Sequence, residues 1–177
     1  MRILAISGSL RTASSNTALL HSVANAMSAH AEMHLFDGLA ALPAFNADLD
    51  ESAPEQVVSF RAMVGEADCV AISTPEYAHG VPGMLKNALD WLVGSGELYH
   101  KPVALLHVSN RGEYAQASLR EILTIMGARI IFEAVVAQQV ADGSLLSSGN
   151  IPEIVNVEET VKTVIQLLAK EALLSER

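Results

Sequence analysis

A chain of 177 residues, half of them hydrophobic and only 5% aromatic, is long enough to bury a continuous core of Ala, Val, Leu and Ile, which excludes intrinsic disorder and any need for disulfide or metal staples. Eleven basic against twenty acidic residues leave a formal charge of −9 without a basic patch, which argues against nucleic acid and other polyanions as partners. The lone Cys69 cannot form an internal bridge, and Arg2 followed by four apolar residues is too short for a signal peptide or a membrane span, so a reducing cytoplasm and no membrane are expected.

In chain order, short apolar runs predict strands at Ile3 to Ile6, Met33 to Phe36, Cys69 to Ser73, Val103 to Val108 and Ile130 to Val136, each buried on both faces. Amphipathic stretches predict helices at Asn16 to Ser28, Pro54 to Val64, Pro82 to Val93, Tyr114 to Met126 and Ile154 to Leu174. Leu85, Leu89 and Leu92 mark the inner face of the third helix, and Lys86 and Asp90, four apart, can pair on its outer side. The segment Gly38 to Ala53 reads as a surface loop. Strictly alternating β and α units imply one domain over residues 1–177: a five-stranded parallel sheet between two helical layers, joined by right-handed crossovers. Cys69, followed by Val70, Ala71 and Ile72, reads as a buried small hydrophobe rather than a reactive thiol.

In such a sheet ligands bind beyond the carboxyl ends of the strands, at the point where strand order reverses. Three loops lie there. The first, "GSLRTASSNT" from Gly8 to Thr17, is neither a dinucleotide fingerprint, because Leu10 stands where the second glycine belongs, nor a Walker loop. Hydroxyls and amides of Ser9, Ser15, Asn16 and Thr17 converge on the unpaired N–H groups of a helix start, with Arg11 able to add a fork of donors. This is an anion site suited to a phosphate ester of roughly −1.5 to −2 charge. Ordinary capping by Ser14 or Ser15 is the alternative. The second loop, Thr74 to Val81, ends its strand at Pro75, offers a flat Tyr77 and restarts as a helix at Pro82 and Gly83. It can rest against a planar ring or be a simple proline-bounded turn. The third is Ser109 to Glu113.

"GSLRTASSNT" resembles the Gly-Ser-Leu-Arg-x-x-Ser-x-Asn phosphate loop of the NADPH-dependent FMN reductase family, and "PEYAHGVPGMLKNALDWL", Pro75 to Leu92, resembles its Pro-Glu-Tyr-Asn-x-x-x-Pro-Gly-x-Leu-Lys-Asn-Ala-x-Asp-Trp segment. The resemblance implies a flavodoxin-like three-layer sandwich with strand order 2-1-3-4-5 and FMN at the switch point. It implies that Ser9, Arg11, Ser15, Asn16 and Thr17 hold the FMN phosphate and that Pro75, Glu76, Tyr77 and Ala78 line the isoalloxazine, Ala78 through backbone alone because the family usually has Asn there. Ser109, Arg111 and Gly112, in a turn that matches the family less closely, are assigned to the pyrimidine edge. A homodimer or homotetramer is implied as well.

Flavin chemistry requires no general base, and the sequence shows no nucleophile–base constellation. The expected activity is a ping-pong transfer of hydride from NADPH or NADH through FMN to a small-molecule acceptor: free flavin, a quinone, an azo compound or a metal oxyanion. The competing reading is a flavodoxin-like electron carrier or redox-responsive binding module that holds FMN but does not oxidise nicotinamides rapidly. The six histidines lack metal-ligand spacing, so no metal is expected. His79 reads as an exposed turn residue beside the proposed flavin and His107 as a buried structural residue, while Trp91 fits either the core or a subunit interface.

Overall fold

The computed structural model describes residues 1–109, 112–137 and 154–175. Strands β1 (Arg2–Ser7), β2 (Glu32–Phe36), β3 (Cys69–Ser73), β4 (Pro102–His107) and β5 (Arg129–Ala137) pair in parallel in the order β2-β1-β3-β4-β5. Helices α1 (Ser15–Met27), α2 (Glu55–Glu66), α3 (Gly83–Asp90), α4 (Glu113–Ile125) and α5 (Val157–Ser175) cover the two faces. Residues alternate between those faces along each strand. Leu4, Ile6, Val70, Ile72, Val103 and Leu105 pack under α2, α3 and α4, whereas Ile3, Ala5, Ala71, Ala104 and Leu106 pack under α1 and α5. Among the described residues no helix is long and apolar enough to cross a membrane.

A short sixth strand, β6 (Ile154–Asn156), adds to the outer side of β5 in parallel. This corrects the helix predicted from Ile154. The Asn156 carbonyl group accepts the Thr160 hydroxyl at 2.9 Å and its side-chain oxygen accepts the Glu159 N–H at 2.8 Å, so α5 starts only at Val157. The third helix likewise stops early, at Asp90, after which Leu92 and Val93 donate to carbonyls three residues back.

Gly38 to Ala53 is more than a surface loop. The first of its two short 3-10 turns buries Leu39, Leu42 directly after that turn is buried too, and the Pro43 carbonyl accepts from Asn87 Nδ2 and Trp91 Nε1, both at 2.9 Å. Trp91 is 0% exposed, so it belongs to the core and not to an interface surface. Arg61 pins the same segment: its guanidinium donates to the Trp91 carbonyl at 2.9 and 2.7 Å and to the Asp50 side chain and carbonyl. Cys69 is fully buried, and burial pushes its thiol up to about 12, well away from thiolate reactivity.

One irregularity has a directional effect. Between Val103 and Ala104 the β4–β5 register shifts, Val103 facing Ile130 and Ala104 facing Phe132. Ile131 and Phe132 therefore both lean toward α1 and α5, and the next residue, Glu133, is turned to the α4 side.

Candidate functional site

The carboxyl ends of β1, β3 and β4 leave a cavity of about 300 Å³ walled by Asn16, Thr74, Pro75, Glu76, His107, Val108, Ser109, Gly112 and Gln116. All three loops singled out from the sequence contribute to it.

The first loop is held against the second by a glycine. Gly8 N–H donates to the Ser73 carbonyl at 2.8 Å, and a Cβ at Gly8 would stand 2.2 Å from Thr74 Oγ1. Ser14 is the N-cap of α1, its hydroxyl accepting from the Thr17 N–H at 3.3 Å, so one orphan donor is satisfied as ordinary capping requires. The remaining polar groups bond within the protein. Asn16 is buried and its Oδ1 accepts from Ser73 Oγ at 2.9 Å, which commits the oxygen and leaves the NH₂ as the unspent half of the amide. Thr17 and Ser7 share a hydroxyl–hydroxyl bond of 2.7 Å, and Ser9 is buried beneath the loop with its hydroxyl accepting from the Arg11 N–H at 3.4 Å. Arg11 and Ser15 are exposed. Of these five residues only Asn16 forms part of the cavity wall; Ser9, Arg11, Ser15 and Thr17 do not line it.

In the second loop Pro75 and Glu76 line the cavity. Glu76 reaches across to α4, where its Oε2 accepts the Ala115 N–H at 2.9 Å. A carboxylate at a helix N-terminus satisfies an orphan donor and lies at the positive end of the dipole. Beyond it, Tyr77 and Gly80 exchange backbone hydrogen bonds of 3.1 and 3.0 Å around Ala78 and His79, whose φ angles are +49° and +57°. This is a tight turn of the primed type, which asks for left-handed backbone at both central residues. The asparagine usual at this place in the family tolerates that region, and alanine does not. Ala78→Gly is expected to relieve ~1–2 kcal/mol of strain against ~0.4–1 kcal/mol of added unfolded-state entropy. The melting temperature should therefore rise by about 2–4 °C; a fall in calorimetry would contradict it. His79 is exposed, as expected, but not idle: its ring stacks on Tyr114 with centroids 4.2 Å apart. Tyr77 is half exposed.

In the third loop Ser109 and Gly112 meet the cavity, Arg111 lies outside the described residues, and Gly112 caps α4 with a φ of +125° that favours glycine. The wall residues Thr74, Val108 and Gln116 were not singled out from the sequence, and His107 was read only as structural. Nothing in local periodicity marks them, because strand ends and first helical turns become walls only through the topology. Glu133 was missed for the same reason: it joins His107 across two strands, with Nε2 2.9 Å from Oε1.

Residues 1–142 match the family model for NADPH-dependent FMN reductases. Over 127 residues, 70% of this chain, it is 37% identical to an NADH:(hydroxy)cinnamate reductase subunit, CrdA, of Vibrio ruber, and that match spans only 62% of the relative's length. Over 139 residues it is 33% identical to a quinone reductase of Escherichia coli K12, covering 74% of this chain and 73% of the relative. Among solved structures, FerB, a flavoenzyme NAD(P)H:(acceptor) oxidoreductase from Paracoccus denitrificans, superposes with a TM-score of 0.74 at 25% identity, covering 96% of this chain and 97% of the other. With four fifths of its length matched and its strand order that of the flavodoxin-like fold, the chain belongs to the NADPH-dependent FMN reductase family, a family of flavin-dependent oxidoreductases.

Proposed function

We propose that this chain binds FMN in the cavity between its three loops and oxidises NAD(P)H, passing the electrons to a small-molecule acceptor in a ping-pong cycle. The observation that carries the reading is the convergence of Asn16, Pro75, Glu76, Ser109 and Gly112, from three separate β–α units, on one cavity at the switch point between β1 and β3. The residues present fit the cofactor. Asn16, whose amide oxygen is taken by Ser73, belongs to the wall, Gly8 allows the close approach of two loops, and His107 of the wall carries a buried nitrogen, Nδ1, with no hydrogen-bond partner among the described residues.

Ser9, Arg11, Ser15, Asn16 and Thr17 would hold the phosphate, with the first N–H groups of α1 adding their share of positive potential. Pro75, Glu76, Tyr77 and Ala78 would flank one edge of the ring, and Ser109, Arg111 and Gly112 the pyrimidine. Bound FMN supplies a ring that takes hydride from a nicotinamide and surrenders the electrons to the next substrate. Around it, Tyr77 and the His79–Tyr114 stack present flat, exposed surface suited to planar partners such as quinones and azo compounds, besides free flavin or a metal oxyanion. We place the protein in the cytoplasm, where NAD(P)H is found, and propose a homodimer or homotetramer.

The test is an anaerobic mixing experiment on the FMN-loaded protein. Bleaching of the flavin absorbance by NADPH or NADH within seconds, followed by recovery on adding a quinone, is the expected result. An unchanged spectrum in a protein that dithionite can still bleach would point to a carrier, and a chain that takes up no FMN would end both readings. Light scattering on the same sample is expected to give the mass of two or four chains; a single-chain mass would remove the oligomer.

A further inference from the structure

His107 closes β4 with its ring 2% exposed. Its Nε2 lies 2.9 Å from Glu133 Oε1, and the same oxygen accepts from Arg120 Nη1 at 2.7 Å. Burial alone would raise the Glu133 pKa, but the hydrogen bonds from His107 and Arg120 and the positive charge beside it outweigh burial and hold the carboxyl below its ordinary value. Glu133 is therefore ionised, and an ionised carboxylate only accepts. His107 Nε2 must carry a hydrogen. The variable nitrogen is then Nδ1, an acceptor in the neutral ring and a donor in the imidazolium. It is buried and has no hydrogen-bond partner among the described residues.

The ring is also part of the cavity wall, with Asn16, Glu76 and Gln116. The charged groups around it come from three elements: Glu133 from β5, Arg120 from α4, and Glu76 from the loop after β3, whose carboxylate is tied to the Ala115 N–H. Arg120 balances Glu133, and the Glu76 carboxylate is tied to the first turn of α4. A new negative charge in the cavity would alter that balance and favour the imidazolium.

We infer that His107 is the proton acceptor of the cavity, its Nδ1 taking up a proton when the bound cofactor is reduced and releasing it when the acceptor is reduced. The inference rests on the FMN reading above. In the first half-reaction the nicotinamide C–H bond would break and its hydride, one proton with two electrons, would pass to the flavin, which would gain a negative charge as NAD(P)⁺ leaves. A solvent proton on Nδ1 offsets it. In the second half-reaction that hydride equivalent, together with the Nδ1 proton, would convert a quinone to a hydroquinone, and His107 would return to neutral. The β4–β5 register shift serves this arrangement, because it turns Glu133 toward His107.

The midpoint potential of the FMN-loaded protein, measured from neutral to mildly alkaline pH, tests this. A two-electron couple shifts by about 30 mV per pH unit for each proton taken up, so the wild-type slope is expected to be twice that of His107→Asn. In unaltered protein, nitrogen NMR should show Nδ1 passing from the unprotonated to the protonated range on reduction by dithionite, which needs no variant to fold. Equal slopes in the two FMN-loaded proteins, or an Nδ1 resonance unmoved by reduction, would overturn the inference while leaving the proposed function standing. A wild-type chain that takes up no FMN would overturn both.

Discussion

Gly8→Ala is expected to abolish FMN uptake and to lower the melting temperature by about 2–12 °C. The added Cβ would lie 2.2 Å from Thr74 Oγ1, 2.8 Å from Thr74 Cβ and 3.0 Å from Leu85 Cδ2. Thr74 stands immediately before Pro75, and Leu85 is fully buried, so neither neighbour has slack to give. Overpacking of this kind costs up to about 3 kcal/mol and is relieved by moving backbone. The backbone that moves is the pair of loops that wall the cavity. Titration with FMN by fluorescence quenching and a calorimetric scan measure the two effects separately. Thr74→Gly in the same chain removes the two closest clashing atoms and should restore part of both, leaving the Leu85 contact. A Gly8→Ala protein that binds FMN and melts like the wild type would refute this picture of the loop junction.

Arg61→Met is expected to cost about 2–3 kcal/mol, mainly by stranding the carbonyl of Trp91 and the Asp50 pair. The guanidinium side chain is 14% exposed while that of Asp50 is 34% exposed, so the ion pair itself deserves only part of the credit. The larger share belongs to the two bonds donated to the Trp91 carbonyl, which retains only the longer Ser95 hydroxyl contact at 3.3 Å. Arg61→Lys, with a compact ammonium in place of a planar fork, can meet one of these acceptors at a time and should recover about half of the loss. Urea unfolding distinguishes the three proteins by midpoint. Because Arg61 does not reach the cavity, FMN affinity of the folded protein is expected to be unaltered; parallel loss of stability and affinity would mean that the segment Gly38 to Ala53 supports the site directly.

The sheet was legible because strands buried on both faces leave uninterrupted apolar runs, and Cys69 to Ser73 was placed to the residue. Strand order was legible only through the family resemblance, since periodicity carries no adjacency. β6 escaped because Ile154 and Val155 suit a short strand as well as a helix start, although Asn156 followed by Glu159 three residues on is a capping pattern that marks the boundary. The role of Gly38 to Ala53 was hidden by its Pro and Asp content, which reads as a loop and draws attention away from the buried Leu39 and Leu42. At the site, the three loops were legible from their place after strands, whereas the partners of Glu76 and His107 were not. Both pairings join residues far apart in the chain, and the second depends on a register shift that no local pattern announces.

The bond from Glu76 to Ala115 crosses from one β–α unit to the next and ties the second loop to the first turn of α4. Two sides of the hollow are thereby clamped as a single jaw before anything enters. A guest arriving there spends little of its grip on quieting loose chain, and more of that grip survives as residence.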